Sequence, residues 1–142
     1  MNRILVIGDH LLDCYRFYEQ TRTDPANGNV PVIELLKEET VPGGTGNLVR
    51  NLEALCEDKV NFFHKPYWDF TPTKTRHYVD DKFILREDKS DSIIYHKRII
   101  DEFLNFIYDD DFVIISDYHK GTITPSDIKT ILDRCEQLNN VK

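Results

Sequence analysis

The stretch Val41-Pro42-Gly43-Gly44-Thr45-Gly46-Asn47 decides how this chain is read. Three glycines within four positions let a main chain come close to a ligand or to another backbone. Directly after them, Leu48, Leu52 and Leu55 fall on one helical stripe, so the string opens a helix over 47–55. The free amides of a helix N-terminus favour polar or anionic groups. Two readings stay open at this level: a ligand-binding loop, or a glycine-rich turn that starts a helix. The string is not a Walker A loop, since no Gly-Lys-Ser/Thr follows, and it is not GxGxxG, since Val49 stands where the third glycine would be.

On either side of it, three short apolar runs, Ile4 to Ile7, Val60 to Phe63 and Phe112 to Ile115, are bounded by polar or turn residues. Such runs suit strands buried on both faces of a parallel sheet. Between them, Ser92 to Tyr108 carries Ile93, Ile100, Leu104 and Ile107 at helical spacing. Thr124-Pro125-Ser126-Asp127 is a helix opening of the N-cap-then-proline kind, followed by Ile128, Ile131, Leu132 and Cys135. Alternating strands and helices predict an α/β fold with right-handed crossovers. Two stretches break the alternation. The aromatic run Cys14 to Glu19 and the β-branched run Val30 to Leu36, joined by Asp24-Pro25-Ala26-Asn27-Gly28-Asn29, read as a projecting antiparallel pair. Thr73 to Tyr78 and Lys82 to Arg86, joined by Asp80-Asp81, read as a second hairpin. Such a small sheet is suited to covering a ligand site.

Composition narrows the classes. The 142 residues match one globular domain, with 40% hydrophobic and 30% charged residues and no apolar run near the ~20 residues of a membrane span. A net charge of −7 disfavours a phosphate-backbone partner, so neither nucleic acid nor membrane is expected. Cys14, Cys56 and Cys135 are widely spaced without a CxxC pair, which fits reduced thiols and a cytoplasmic setting. The five histidines, His10, His64, His77, His96 and His119, show no metal-ligand spacing, so no metal site is expected. Asp109-Asp110-Asp111 reads as a solvated acidic turn, and the string Phe62, Phe63, Tyr67, Trp68, Phe70 as core or interface.

Gly8-Asp9-His10-Leu11-Leu12-Asp13 follows the first strand, which puts Asp9 and Asp13 at the carboxyl edge of the sheet, where open α/β folds hold ligands. They are suited to accept bonds from sugar hydroxyls, or to cap a turn by binding local amides. The order of GDHLLD, TRTDPANGNVPV and PGGTGN resembles the front of ribokinase-type (PfkB family) carbohydrate kinases, and is most similar to the heptose phosphate kinase module of ADP-heptose synthesis. Thr73-Lys74-Thr75-Arg76, Ile84-Leu85-Arg86-Glu87-Asp88 and Ser116-Asp117-Tyr118-His119-Lys120-Gly121 extend the resemblance over nearly the whole chain.

The resemblance implies a ribokinase-like three-layer α/β sandwich, one domain over 1–142, with a small β lid at about 14–38 and 73–87. It implies that Asp13, Asn47 and the backbone at Gly43 and Gly44 line a sugar pocket, that Asp9 supports the turn, and that Asp117 and Lys120 lie beside the substrate. Lys74, Arg76 and Arg86 would meet an anionic group such as a phosphate; the other reading is a solvated hairpin face with ion pairs to Glu87 and Asp88. The family's catalytic GxGD-type anion hole has no counterpart, because after Gly46 the only glycine is Gly121. No catalytic residue is therefore assigned, and ATP and Mg are expected only where a missing nucleotide-binding half is supplied. The implied function is binding of a sugar or sugar phosphate by a truncated kinase-like chain that is inactive alone. The alternatives are a non-catalytic interaction or regulatory protein, and a kinase completed by dimerisation or a partner chain. A homodimer through the lid strands is expected by the same resemblance.

Overall fold

The computed structural model describes residues 3–56, 60–62, 71–89 and 97–142. They divide into two compact units, one within Met1–Leu11, Pro42–Pro72 and Asp91–Lys142, the other within Leu12–Val41 and Thr73–Ser90.

In the first unit, β1 (Ile4–Gly8) is the middle of a three-stranded sheet, flanked by β4 (Val60–Phe62) and β7 (Phe112–Ser116), all parallel. Its central place explains its composition: Leu5, Val6 and Ile7 are all fully buried, as a strand covered on both faces requires. Leu5 and Ile7, two residues apart, share a cluster with Ile100 and Phe103 of α2 (Lys97–Phe106), with Ile107 and Ile123, and with Ile131 of α3 (Pro125–Glu136). Val6 points the opposite way, and α1 (Thr45–Cys56) packs against β1 and β4. The helix opening at Thr124 forms as its sequence predicts. The Thr124 side chain accepts from the Asp127 amide, the Asp127 carboxylate accepts from the Thr124 amide, and Pro125 fills the first turn.

Two expectations change. The buried stripe of α1 is Thr45, Gly46 and Val49, whereas Leu55 is 79% exposed. The helix is pressed down at its N-terminus by small residues, so its leucines do not set its inner face. Asp111 is likewise no solvated turn: it is buried, takes two bonds from Arg3 at 3.1 and 2.6 Å, and accepts from the Tyr108 amide. Burial pushes its pKa up, and the Arg3 guanidinium more than reverses this, leaving it below the usual range. The aromatic string beyond Phe62, together with His64, His96 and 92–96 of the expected second helix, lies outside the described residues.

The second unit is a four-stranded sheet in the order β3-β2-β5-β6, from β2 (His10–Asp24), β3 (Val30–Gly44), β5 (Thr73–Val79) and β6 (Lys82–Lys89). The contacts Cys14–Thr40, Arg16–Glu38 and Thr21–Val32 descend along one strand as they rise along the other, so β2 and β3 are antiparallel. Both strands run 15 residues, longer than the aromatic and β-branched runs alone predict. Between them Asp24 accepts from the Ala26 amide, and Gly28 takes φ +74°. β5 and β6 form the expected hairpin: Asp80 and Asp81 both have positive φ, the signature of a primed two-residue turn, tolerable for aspartate. The sheet is joined in the middle by β2 and β5 running parallel, with Asp13 opposite Lys74 and Tyr15 opposite Arg76.

Truncation of Phe103 to alanine is expected to cost about 3–5 kcal/mol in urea unfolding, and Thr124→Ala about 1 kcal/mol. Equal costs for the two would contradict this account of the core.

Candidate functional site

The turn after β1 is organised by one fully buried carboxylate. Asp9 Oδ2 accepts from the amides of Tyr118 at 2.7 Å and Lys120 at 3.0 Å, and Oδ1 accepts from the Thr122 amide at 3.1 Å. Its main chain is equally engaged: the amide donates to Ser116 O at 3.1 Å, and the carbonyl accepts from the Thr45 amide at 3.0 Å. Asp9 thus binds the carboxyl end of β1, the loop after β7 and the first residue of α1 to one another. Burial works to raise its pKa, but the bonds from Thr122, Lys120 and Tyr118 outweigh it and hold the carboxylate below its ordinary range. Asp9 therefore binds backbone amides, but those of a distant loop and not the local ones that a capped turn would use.

The glycine string fits this junction. Gly44 has φ +53°, and a Cβ there would lie 2.7 Å from Asp9 O; at Gly8 one would lie 2.1 Å from Ser116 O. Gly43 is buried, while Asn47, in the first turn of α1, is exposed. Thr45, which sequence reasoning passed over, is fully buried and donates its hydroxyl to Ser116 O at 3.2 Å. Its signal was present, since threonine is a preferred residue where helices start. In the loop after β7, Asp117 accepts from the His119 amide at 2.7 Å, and His119 and Gly121 have positive φ. The His119 side chain is 94% exposed, and Lys120 is half-buried. Asp9, Gly43, Gly44, Asn47, Asp117 and Lys120 therefore all belong to the first unit, at or beside the carboxyl edge of its sheet.

Asp13, Lys74, Arg76 and Arg86 belong to the second unit. Arg76 Nη1 donates to Asp13 at 2.7 Å, and its guanidinium lies 5.2 Å from the Tyr15 ring centre, a platform that the sequence did not single out. Arg86 Nε donates to Asp88 at 2.7 Å, and Arg86 stands opposite Arg76 in the β5–β6 register. Two of the three expected cations are thus paired in cis. Both partners of the Arg86–Asp88 pair are well exposed, so that pair adds under ~1 kcal/mol. Glu87 reaches His77 at 3.3 Å instead of an arginine. Lys74 has no ion-pair partner among the described residues.

In the comparisons with known proteins no family model matches. The chain is 30% identical to the bifunctional protein HldE of Campylobacter jejuni over a 158-residue alignment, covering 96% of this chain and 34% of that protein. Among solved structures, a candidate phosphofructokinase from Staphylococcus aureus aligns with a TM-score of 0.63 at 11% identity, over 98% of this chain and 51% of that one. The fold is ribokinase-like. Phosphofructokinase-2 from Escherichia coli, crystallised with fructose-6-phosphate, aligns with a TM-score of 0.51 at 10% identity, over 99% of this chain and 53% of the other. The chain spans about a third of the length of the curated relatives it matches and about half that of the solved structures. No described helix is long and apolar enough to cross a membrane.

Replacing Asp9 by asparagine leaves one side-chain oxygen for three amides, and should cost about 2–4 kcal/mol. Because the folded-state pKa of Asp9 lies below its unfolded value of ~3.9, its contribution is complete above that value and is lost as pH falls through the folded pKa. Urea titrations from pH 7 to 2 should show this acid loss in the parent and a shallower one in Asp9→Asn. Identical profiles would remove Asp9 from its central place.

Proposed function

We propose that this chain is a carbohydrate-kinase-like protein that binds a sugar phosphate. The observation carrying the reading is the Asp9 junction, which draws the GDHLLD turn, the GGTGN helix start and the SDYHKG loop to one sheet edge. Ligands of open α/β folds bind at such an edge. In the first unit, Asn47 and the main chain at Gly43 and Gly44 would hold sugar hydroxyls, with Asp9 as support and Asp117 and Lys120 beside the ligand. Asp13, Lys74, Arg76 and Arg86 of the second unit are a separate candidate set, in which Asp13 would suit a hydroxyl and the three cations an anionic group. Of these Lys74 is the readiest, since Arg76 and Arg86 must first share or leave their carboxylates. Fructose-6-phosphate and heptose phosphates are the probes that the sequence and fold relatives suggest. Residues 1–142 hold no GxGD, so the proposal assigns them ligand binding and no phosphoryl transfer.

Self-association through the second unit is proposed on a separate observation. Ile33, Leu35, Leu36, Phe83, Ile84 and Leu85, all on β3 or β6, are 42–61% exposed, and these are the two edge strands of the sheet. Exposed apolar side chains along free strand edges favour pairing with another copy.

A sugar phosphate at 100 times its dissociation constant should add about 2.7 kcal/mol of stability in thermal unfolding, and Asn47→Ala should abolish the gain while leaving the free protein's stability within ~0.5 kcal/mol. No gain with any sugar phosphate, or an equal gain in Asn47→Ala, would refute the assignment. Light scattering should give the mass of a dimer, reduced to a monomer in Leu35→Glu/Phe83→Glu; a monomeric parent would refute the pairing.

A further inference from the structure

On one face of the second unit's sheet the charges stand in rows. Lys74 is opposite Asp13 in the β2–β5 register and opposite Asp88 in the β5–β6 register. Two residues along β5, Arg76 is opposite Tyr15 on one side and Arg86 on the other. Residues directly opposite across a ladder share a face, and so do residues two apart on one strand. The first row therefore reads acid, base, acid, while the second sets a tyrosine beside two adjacent guanidiniums. Like charges directly opposite each other repel. Each arginine turns instead to the row of acids: Arg76 Nη1 crosses from β5 to Asp13 Oδ1 of β2 at 2.7 Å, and Arg86 holds Asp88 of its own strand through Nε at 2.7 Å and Nη2 at 2.9 Å.

The two pairs differ in how readily they open. Arg86 and Asp88 are both well exposed, so solvent screens them. The side chains of Arg76 and Asp13 are only 27% and 23% exposed, and the Tyr15 ring backs the guanidinium at 5.2 Å. Their bond is the better protected of the two. Its members are also the hydroxyl acceptor and one of the cations of this candidate set. In the free protein each occupies the other.

We infer that the Asp13–Arg76 pair is an internal lock, which makes this set select a ligand carrying a phosphate and a hydroxyl together over free phosphate or free sugar. The inference rests on the sugar-phosphate reading of this candidate set and adds how it discriminates. A phosphate dianion offers guanidiniums a forked partner of higher charge than a carboxylate, and it belongs between Arg76 and Arg86, where two cations stand opposite each other. By drawing Arg76 there, it removes from Asp13 a charge-assisted bond at a position little exposed to water. A carboxylate that loses such a donor is destabilised unless another replaces it. A hydroxyl on the same ligand is that replacement. Free phosphate leaves Asp13 stripped of its partner, and free sugar must displace Arg76 with no anion to receive it. Only a ligand with both groups exchanges partners with the lock.

The test measures affinities by NMR, on the full chain and its variants, for inorganic phosphate and for fructose-6-phosphate and heptose phosphates, following the signals of Tyr15 and Arg76. Removing the carboxylate frees Arg76, so Asp13→Asn and Asp13→Ala should each bind inorganic phosphate about fivefold more tightly than the parent. Their preference for a sugar phosphate over inorganic phosphate should fall about tenfold, because the hydroxyl loses its charged acceptor. Arg76→Gln should bind inorganic phosphate about tenfold more weakly, and Asp81→Asn, which removes a charge at the far end of the hairpin, should match the parent. Unchanged or weaker phosphate binding in the Asp13 variants, an equal rise in Asp81→Asn, or an unchanged preference would overturn the lock while sugar-phosphate binding by the parent still stands. Phosphate affinity unaltered in Arg76→Gln would place the anion elsewhere and overturn it as well. A parent that binds none of the sugar phosphates would refute the sugar-phosphate reading, and the lock with it.

Discussion

Burying an ionised carboxylate is costly unless hydrogen bonds compensate it, and Asp9 accepts from three amides of a loop more than a hundred residues away. That requirement orders the first unit. To serve as acceptor for Tyr118, Lys120 and Thr122, Asp9 must sit at the end of β1, and β1 must be paired with β7, whose last residue takes the Asp9 amide. The Asp9 carbonyl then fixes where α1 begins, and Gly8 and Gly44 are glycines because no Cβ fits between these backbones. One residue, through its side chain and its main chain, thereby ties the turn after β1 to the loop after β7 and to the start of α1, at the end of the sheet where α/β proteins bind ligands.

The second unit follows a different logic. Among its described residues it has no α-helix, only the short 3-10 turn Pro25–Asn27, and many of its large side chains are exposed on the sheet, so its order comes from pairings across strands. On one face Phe17 stacks on Tyr78 at 5.2 Å and Arg76 spans Tyr15 and Asp13; on the other Tyr18 stacks on His77, which reaches Glu87. Each contact is worth at most about 1 kcal/mol. A sheet held this way gains stability from whatever covers it, which makes a ligand or a second copy a natural partner.

Much of this was legible in the sequence, for reasons that vary by element. β1 was readable because a central parallel strand must be apolar at every position, β7 because its apolar run Phe112 to Ile115 is bounded by polar residues, and α3 because its cap, proline and capping acid are local signals. The Asp80-Asp81 turn was readable for the same reason. The inner face of α1 was not: Leu48, Leu52 and Leu55 have the right period, but the helix is held by tertiary contacts of Thr45 and Gly46 that no periodicity reports. Asp111 was misread because its partner, Arg3, lies at the opposite end of the chain. For the site, Asp9, Gly44 and Asn47, named from the resemblance, lie at or beside the same sheet edge, while the pairing of Arg76 with Asp13 depends on the parallel β2–β5 register, which long-range folding alone determines.

The central claim is that the junction built on Asp9 supports a sugar-phosphate site at the start of α1. An NMR titration of the labelled chain with fructose-6-phosphate and heptose phosphates tests it most directly. The account predicts saturable shifts in the amides of Gly43, Gly44 and Asn47, with the Tyr118, Lys120 and Thr122 amides still bonded to Asp9. Amide shifts confined to other parts of the chain, or none with any of these ligands, would contradict it.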